Sequence, residues 1–271
     1  MKTLSKICLD ALNLARKTAY DLGESGRKPV PTKKDEPVTK SDLEISKALK
    51  KYFLNSNLNA IYVSEEAGQM NSRENPTHAV YFDELDGTFN WQRGSLFSSS
   101  TVIAAFDYKD SSDIRFKDAV FAGVLDLNLG NLWYAERGCG SFFNNTKSHP
   151  SGRRNLGKDV FSIVDYGPCP SESEVAQLAR VLESTWQHNI SCAGIHLAGV
   201  ASGHFDVAVL PAQKAHELGA GYLLVKEAGR YIVDFQGKSL DEQIFDFGKK
   251  YQIVAADTKE LGEKVLKKIK R

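Results

Sequence analysis

Residues 83–91 read Asp-Glu-Leu-Asp-Gly-Thr-Phe-Asn-Trp, directly after the apolar run Ala79-Val80-Tyr81-Phe82. The run predicts a buried strand, which places Asp83 and Asp86 at its end. Carboxylates there are costly unless something neutralises them, and a divalent metal is the usual answer. Two acids three residues apart, followed by Gly87-Thr88, point to a hard-cation site opening onto a phosphate cradle. Gly87 lets the backbone approach a ligand closely. A helix starting there would turn its free N–H groups toward the metals and hold a phosphate. Thr88 would cap that helix or orient an attacking water, and the two roles are compatible.

Other acids stand where they could join this pair. Glu65-Glu66 follows a second short apolar run, Ile61-Tyr62-Val63. Alone it reads as an exposed turn. If the two strands lie parallel and adjacent, Glu65, Asp83 and Asp86 meet in one cleft, and carboxylates so placed repel unless cations bind. Oxygen-only ligands select Mg²⁺ or Mn²⁺ over zinc. Thr39 and Asp42 have capping-box spacing; Asp42 either caps that helix or accepts a proton from Thr88 or the water. His216-Glu217 opens another helix, where an early Glu is favoured by the dipole alone. Gly194-Ile195-His196 begins a helix or touches substrate. His149, His188 and His204 have no partner at ligand spacing and read as structural or surface residues.

The elements that must position these groups follow from periodicity. Helices are predicted at 4–22, from about 39 onward, and at 172–183, 196–201, 217–227 and 258–269. Strands are predicted at 61–63, 79–82, 101–105, 119–125, 132–135, 161–164, 205–209, 231–233 and 252–255. Residues 23–37 are polar and read as a loop, and Gly138-Cys139-Gly140 and Asn144-Asn145 mark turns. Helices and strands interleave, so the class is mixed α and β. No linker separates the halves. The expectation is one unit over 1–271, with a metal-bearing lobe over about 1–150 and a second lobe over about 151–271 completing the cleft.

The net charge of +1 marks neither a nucleic-acid nor a membrane binder. No apolar run approaches a membrane span, and the amphipathic first twenty residues lack a secretory pattern. A cytoplasmic protein is expected. Cys8, Cys139, Cys169 and Cys192 lie far apart, without zinc-ligand spacing, and read as free thiols. No nucleotide-loop string of the Gly-x-x-x-x-Gly-Lys-Ser/Thr or Gly-x-Gly-x-x-Gly type is present.

Residues 83–91 closely resemble the Asp-Pro-Ile/Leu-Asp-Gly-Thr-x-Asn-Phe signature of the inositol monophosphatase family. Ser64-Glu65-Glu66 resembles its Gly-Glu-Glu, and residues 37–42 its Val-Thr-x-x-Asp. Residues 137–144 are similar to its Gly-x-Gly-Ala-Phe-x-Asn hairpin. His216-Glu217-Leu218-Gly219-Ala220-Gly221 falls where the family has Trp-Asp-x-Ala-Ala-Gly. The order agrees from about residue 4 to 256.

The resemblance implies a layered α-β-α-β-α sandwich, a homodimer, and a Mg²⁺-dependent, Li⁺-sensitive phosphomonoesterase. It implies that Glu65, Asp83 and the Leu85 carbonyl hold one metal, and that Asp83, Asp86 and Glu217 hold a second. A third, looser ion would involve Glu65. Thr88, backed by Asp42, would activate water; the Gly87 and Thr88 amides would bind phosphate; Gly194, Ile195 and His196 would face the substrate. Inositol monophosphate is the default substrate. Fructose 1,6-bisphosphatase activity, 3′-phosphoadenosine 5′-phosphate phosphatase activity and a non-catalytic phosphometabolite-binding role are the alternatives. Departures from the family pattern are Glu84 for Pro, His216-Glu217 for Trp-Asp, Ile195-His196 for Ser/Thr-Ala and Arg230 for Gly.

Overall fold

A computed structural model describes residues 3–32, 37–71, 74–94, 98–109, 113–165, 170–188 and 192–270. Helix α1 (Thr3–Gly26) buries Cys8, Ala11, Leu12, Ala15 and Ala19 along one stripe, the helical period read from the sequence. Strand β1 (Pro29–Val30), inside the predicted loop, pairs with β2 (Val38–Thr39) just after it, and the ribbon leads to α2 (Lys40–Asn55). Then come β3 (Ala60–Ser64), β4 (Gly68–Asn71), β5 (His78–Asp86), the short helix α3 (Thr88–Gln92) and β6 (Ser100–Asp107). The first half ends with β7 (Ala119–Asp126), β8 (Leu132–Glu136), β9 (Gly140–Phe143) and β10 (Thr146–Lys147).

The second half runs β11 (Phe161–Val164), α4 (Glu172–Leu182), β12 (Trp186–His188), α5 (Ala193–Ser202) and β13 (Val207–Lys214). It closes with α6 (Ala215–Glu227), β14 (Tyr231–Asp234), β15 (Lys250–Ala256) and α7 (Lys259–Ile269). Strands β4 and β12 were not legible in the sequence: both are short and polar. The strand expected at 205–209 instead runs to Lys214, and α6 starts two residues before the predicted 217.

Strands β10-β9-β8-β7-β6-β5-β3-β4 form an eight-stranded sheet, and β12-β11-β13-β15-β14 a five-stranded one. Helices α1 and α2 cover the outer face of the large sheet around Ile45, Phe53, Tyr62 and Phe82. Helices α5 and α6 lie between the sheets. Every residue of α5 from Ala193 to Ala201 is buried, as a helix with a sheet on each side requires. Helices α4 and α7 cover the far face of the small sheet. The result is the expected α-β-α-β-α layering. No described helix is long and apolar enough to cross a membrane. Cys8, Cys139 and Cys192 are free thiols, and Cys169 lies outside the described residues.

Candidate metal centre

The site begins with one parallel pairing. Strand β3 runs parallel to β5, with Ser64 opposite Phe82, so Glu65 leaves β3 beside Asp83. The Glu65 N–H donates to the Phe82 carbonyl at 3.2 Å. Next, the β5–β6 register shifts between Asp83 and Asp86. Such a bulge re-aims side chains that strict alternation would send elsewhere. Asp83 faces α6, whose His216 lies 3.9 Å from its Oδ2. Leu85 joins the core under α1 and α2, while its N–H donates to Asp83 Oδ1 at 2.9 Å. Glu84 is fully buried and accepts from Ser64 Oγ. Its charge thus points at the serines near α2. Its charge still adds to the raised pKa of Asp83.

Asp86 faces α5. Gly194 N–H donates to its Oδ2 at 2.8 Å, with Cys192 Sγ at 3.2 Å and Ser100 Oγ at 3.3 Å from the same oxygen. A Cβ on Gly194 would stand 2.6 Å from Val102 Cγ2 and 3.2 Å from that oxygen, so the contact needs glycine. Of the other two α5 residues singled out, Ile195 packs into the core between the sheets. His196 is fully buried, with Nδ1 3.4 Å from Asp165 Oδ2.

Gly87 has φ +81°, and a Cβ there would lie 3.1 Å from the Ser98 carbonyl oxygen. This left-handed residue starts α3 and sets Thr88 at its first turn. Thr88 Oγ1 lies 2.9 Å from the Leu85 carbonyl and 3.2 Å from Asp42 Oδ1. Asp42 uses its other oxygen for the capping box: Thr39 N–H donates to Oδ2 at 2.8 Å, and the Thr39 hydroxyl donates to it too. Asp42 thus caps α2 through Oδ2 while its Oδ1 faces the Thr88 hydroxyl. Burial pushes its carboxyl up to about 6, against the two Thr39 hydrogen bonds.

Helix α6 brings the remaining groups. Glu217 lies in its first turn and accepts from Gln213 Nε2. Lys214 Nζ lies 3.3 Å from Glu65 Oε1, and His216 Nε2 3.6 Å from Glu65 Oε2. Two triads result, Glu65–Asp83–His216 and Asp83–Asp86–Glu217, each with ligand atoms within 4.8 Å of one another. Asp83 belongs to both. Burial raises its pKa well above the usual range, and Glu65, Asp86, Glu217 and Glu84 add to the rise. Burial raises Asp86 as well. Carboxylates gathered at this energetic cost fit divalent ions, which remove the repulsion.

Sequence reasoning missed Cys192, Ser100, Gln213 and Lys214. Cys192, Ser100 and Lys214 meet their acids only through tertiary packing, and Gln213 lies four residues from Glu217 at the end of β13. Arg230 stands apart from the cluster: it pairs with buried Asp257 and donates to the His149 carbonyl at 2.7 Å.

The model of the inositol monophosphatase family matches residues 2–271. The chain belongs to the inositol monophosphatase family. A fructose-1,6-bisphosphatase/inositol-1-monophosphatase from Archaeoglobus fulgidus is 30% identical over 212 residues, 77% of this chain and 75% of that protein. Among solved structures, the extragenic suppressor protein suhB of Bartonella henselae superposes with a TM-score of 0.84. It is 23% identical and covers 100% of this chain and 99% of that one. An IMPase/NADP phosphatase complexed with Mg²⁺ and phosphate reaches a TM-score of 0.76 at 18% identity, over 98% of this chain and 96% of that one. These two likenesses establish the fold. Family membership makes the chain a metal-dependent phosphatase, and the carboxylate cluster is a group of side chains able to hold metal ions.

Proposed function

We propose that the chain hydrolyses the phosphomonoester of a small polyol, inositol monophosphate first, with fructose 1,6-bisphosphate beside it. The Archaeoglobus relative carries both activities in its name. The observation that carries the reading is the shared carboxylate, Asp83, joining two metal-holding triads next to the Thr88–Asp42 pair. In this reading Glu65, Asp83 and the Leu85 carbonyl hold one divalent ion, and Asp83, Asp86 and Glu217 a second, Mg²⁺. A looser third ion sits near Glu65. Divalent ions there lower the pKa of water and neutralise the phosphoryl group.

The protein's own part is positioning. Thr88 Oγ1 orients the attacking water, and Asp42 Oδ1, ionised at neutral pH, accepts the proton that Thr88 relays. The Gly87 and Thr88 amides face the phosphate. Gly194, Cys192 and Ser100 fix Asp86 in orientation. Ile195 and His196, both buried, support the substrate side from behind, His196 through the half-buried Asp165. The large-sheet and small-sheet lobes, about 1–150 and 151–271, act as one unit around the cleft. Lithium sensitivity, a homodimer and a cytoplasmic setting complete the reading.

The test is phosphate release from inositol 1-phosphate, fructose 1,6-bisphosphate, 3′-phosphoadenosine 5′-phosphate and glycerol 2-phosphate, with and without Mg²⁺. Mg²⁺-dependent turnover of either of the first two supports the proposal. Folded protein that is inert on all four refutes it.

A further inference from the structure

The first turn of α6 sends consecutive side chains to two different places. His216 joins Glu65 and Asp83, whereas Glu217 joins Asp83 and Asp86. The two metal positions therefore differ in donor chemistry. One is all oxygen; the other offers an imidazole nitrogen.

The distances favour a shared ion over a hydrogen bond. His216 Nε2 lies 3.6 Å from Glu65 Oε2 and 3.9 Å from Asp83 Oδ2, both too long for hydrogen bonds. Ligand atoms about 2.1 Å from one ion stand about 3.0 Å apart when adjacent in an octahedron and about 4.2 Å apart when opposite. The observed 3.6 and 3.9 Å lie between these two values, so shifts of about 0.3–0.6 Å would bring the imidazole and both carboxylates onto one ion. The imidazole is also held: its side chain is 5% exposed and its ring lies 5.0 Å from that of Phe247, centre to centre. Nε2 is therefore aimed at the two carboxylates by packing.

Charge points the same way. At this position an imidazole meets two carboxylates, and Lys214 already draws on Glu65 through Oε1. Mg²⁺ prefers oxygen and gains most from a strongly negative cage, whereas imidazole suits borderline transition ions. Resting on the metal-dependent phosphatase reading above, we propose that His216 is a metal ligand and that the centre is built for two unlike ions. A divalent transition ion sits on Glu65, Asp83 and His216, and Mg²⁺ sits on Asp83, Asp86 and Glu217.

The test uses the metal-stripped full chain, given one equivalent of Mn²⁺ in excess Mg²⁺. Pulsed electron paramagnetic resonance detects nitrogen bound directly to Mn²⁺. Wild-type protein should show the ¹⁴N modulation of a coordinated imidazole. In His216→Gln the modulation should vanish, and Mn²⁺ affinity should drop about tenfold or more, while Mg²⁺ affinity changes less than about threefold. The wild-type spectrum decides the matter even if the variant does not fold. Mn²⁺ bound without ¹⁴N modulation, or no Mn²⁺ bound in excess Mg²⁺, overturns the proposal and makes His216 an ion-pair partner only. Neither result touches the phosphatase reading, which stands or falls on phosphate release.

Discussion

Replacing Glu84 with glutamine isolates one charge that the fold has made expensive. The side chain is 0% exposed. Ser64 Oγ donates to Oε1, and among the described residues Oε2 accepts no hydrogen bond. Burial lifts the carboxyl from its ordinary 4.5 to about 7; the Ser64 and Ser46 hydroxyls offset part of the rise, and Glu66 adds to it. Because the folded value exceeds the unfolded one, the unfolded chain ionises first as pH rises. Stability is therefore whole below about pH 4.5 and is lost as pH climbs through about 7. At about 1.4 kcal/mol for each pH unit between the two values, the loss is about 3 kcal/mol by pH 8. Glutamine keeps the shape and still accepts from Ser64, but it never ionises. Its amide group lands where Oε2 stood, at a cost that is the same at every pH. The readout is therefore the slope against pH. Between pH 5 and pH 8, E84Q should gain about 2–3 kcal/mol on the wild type. Urea unfolding followed by circular dichroism, with chelator present to remove metal linkage, measures this directly. Parallel stability–pH curves for the two proteins would show that Glu84 ionises at an ordinary pH and that its pocket is wet.

Thr88→Ala should lower kcat by roughly a hundredfold or more with little change in KM; an effect confined to KM would reduce Thr88 to a phosphate contact. Asp42, raised to about 6, must be ionised to accept from Thr88. Wild-type kcat should therefore fall as pH drops through about 6, and a profile flat down to pH 5 would contradict that role. Gly194→Ala forces a Cβ to within 2.6 Å of Val102, which should cost about 1–3 kcal/mol in unfolding experiments. It should also weaken metal binding by shifting Asp86, and unchanged calorimetric Mg²⁺ affinity would count against that linkage. Arg230→Met leaves Asp257 buried with only the Ser151 and Arg153 donors. A loss of about 3 kcal/mol is expected from denaturant melts, with kcat and KM unchanged because the pair lies outside the metal cluster.

The parts of the site that were legible in the sequence are those encoded locally. Asp83, Asp86, Gly87 and Thr88 sit within one strand end and one turn, and Glu65 follows its strand as Asp83 follows its own. One parallel pairing then unites them. The helix-capping pattern of Thr39 and Asp42 was also local, but its reach to Thr88, 46 residues on, was not. Where the Glu84 side chain points was not legible, because strand alternation does not reveal a bulge: the register shift turns its carboxylate toward Ser64, although its charge still acts on Asp83. Cys192 and Lys214 have no spacing signal at all, since each meets its acid only after the sheets have closed on α5 and α6, and Ser100 meets Asp86 only once β5 and β6 pair. In the fold, periodic helices and apolar strands were readable. The edge strands β4 and β12 were not, because a strand paired along one side needs little apolar sequence.

The treatment of charge explains why these two kinds of error fall where they do. The protein buries three acids in succession near the end of β5, yet solves each differently. Asp83 is left among carboxylates that, with burial, raise its own pKa, and bound cations would balance its charge. Asp86 is held by a backbone amide, a thiol and a hydroxyl on one oxygen, which orients it without neutralising it. Glu84, turned to the other side, has serines and no cation. A metal-ligand role thus follows from what surrounds a carboxylate after folding, and sequence adjacency to a ligand does not confer it. The same logic separates His216 from Glu217. One residue apart on a helix, they point about 100° from each other, and that rotation alone gives one metal position a nitrogen and the other a carboxylate.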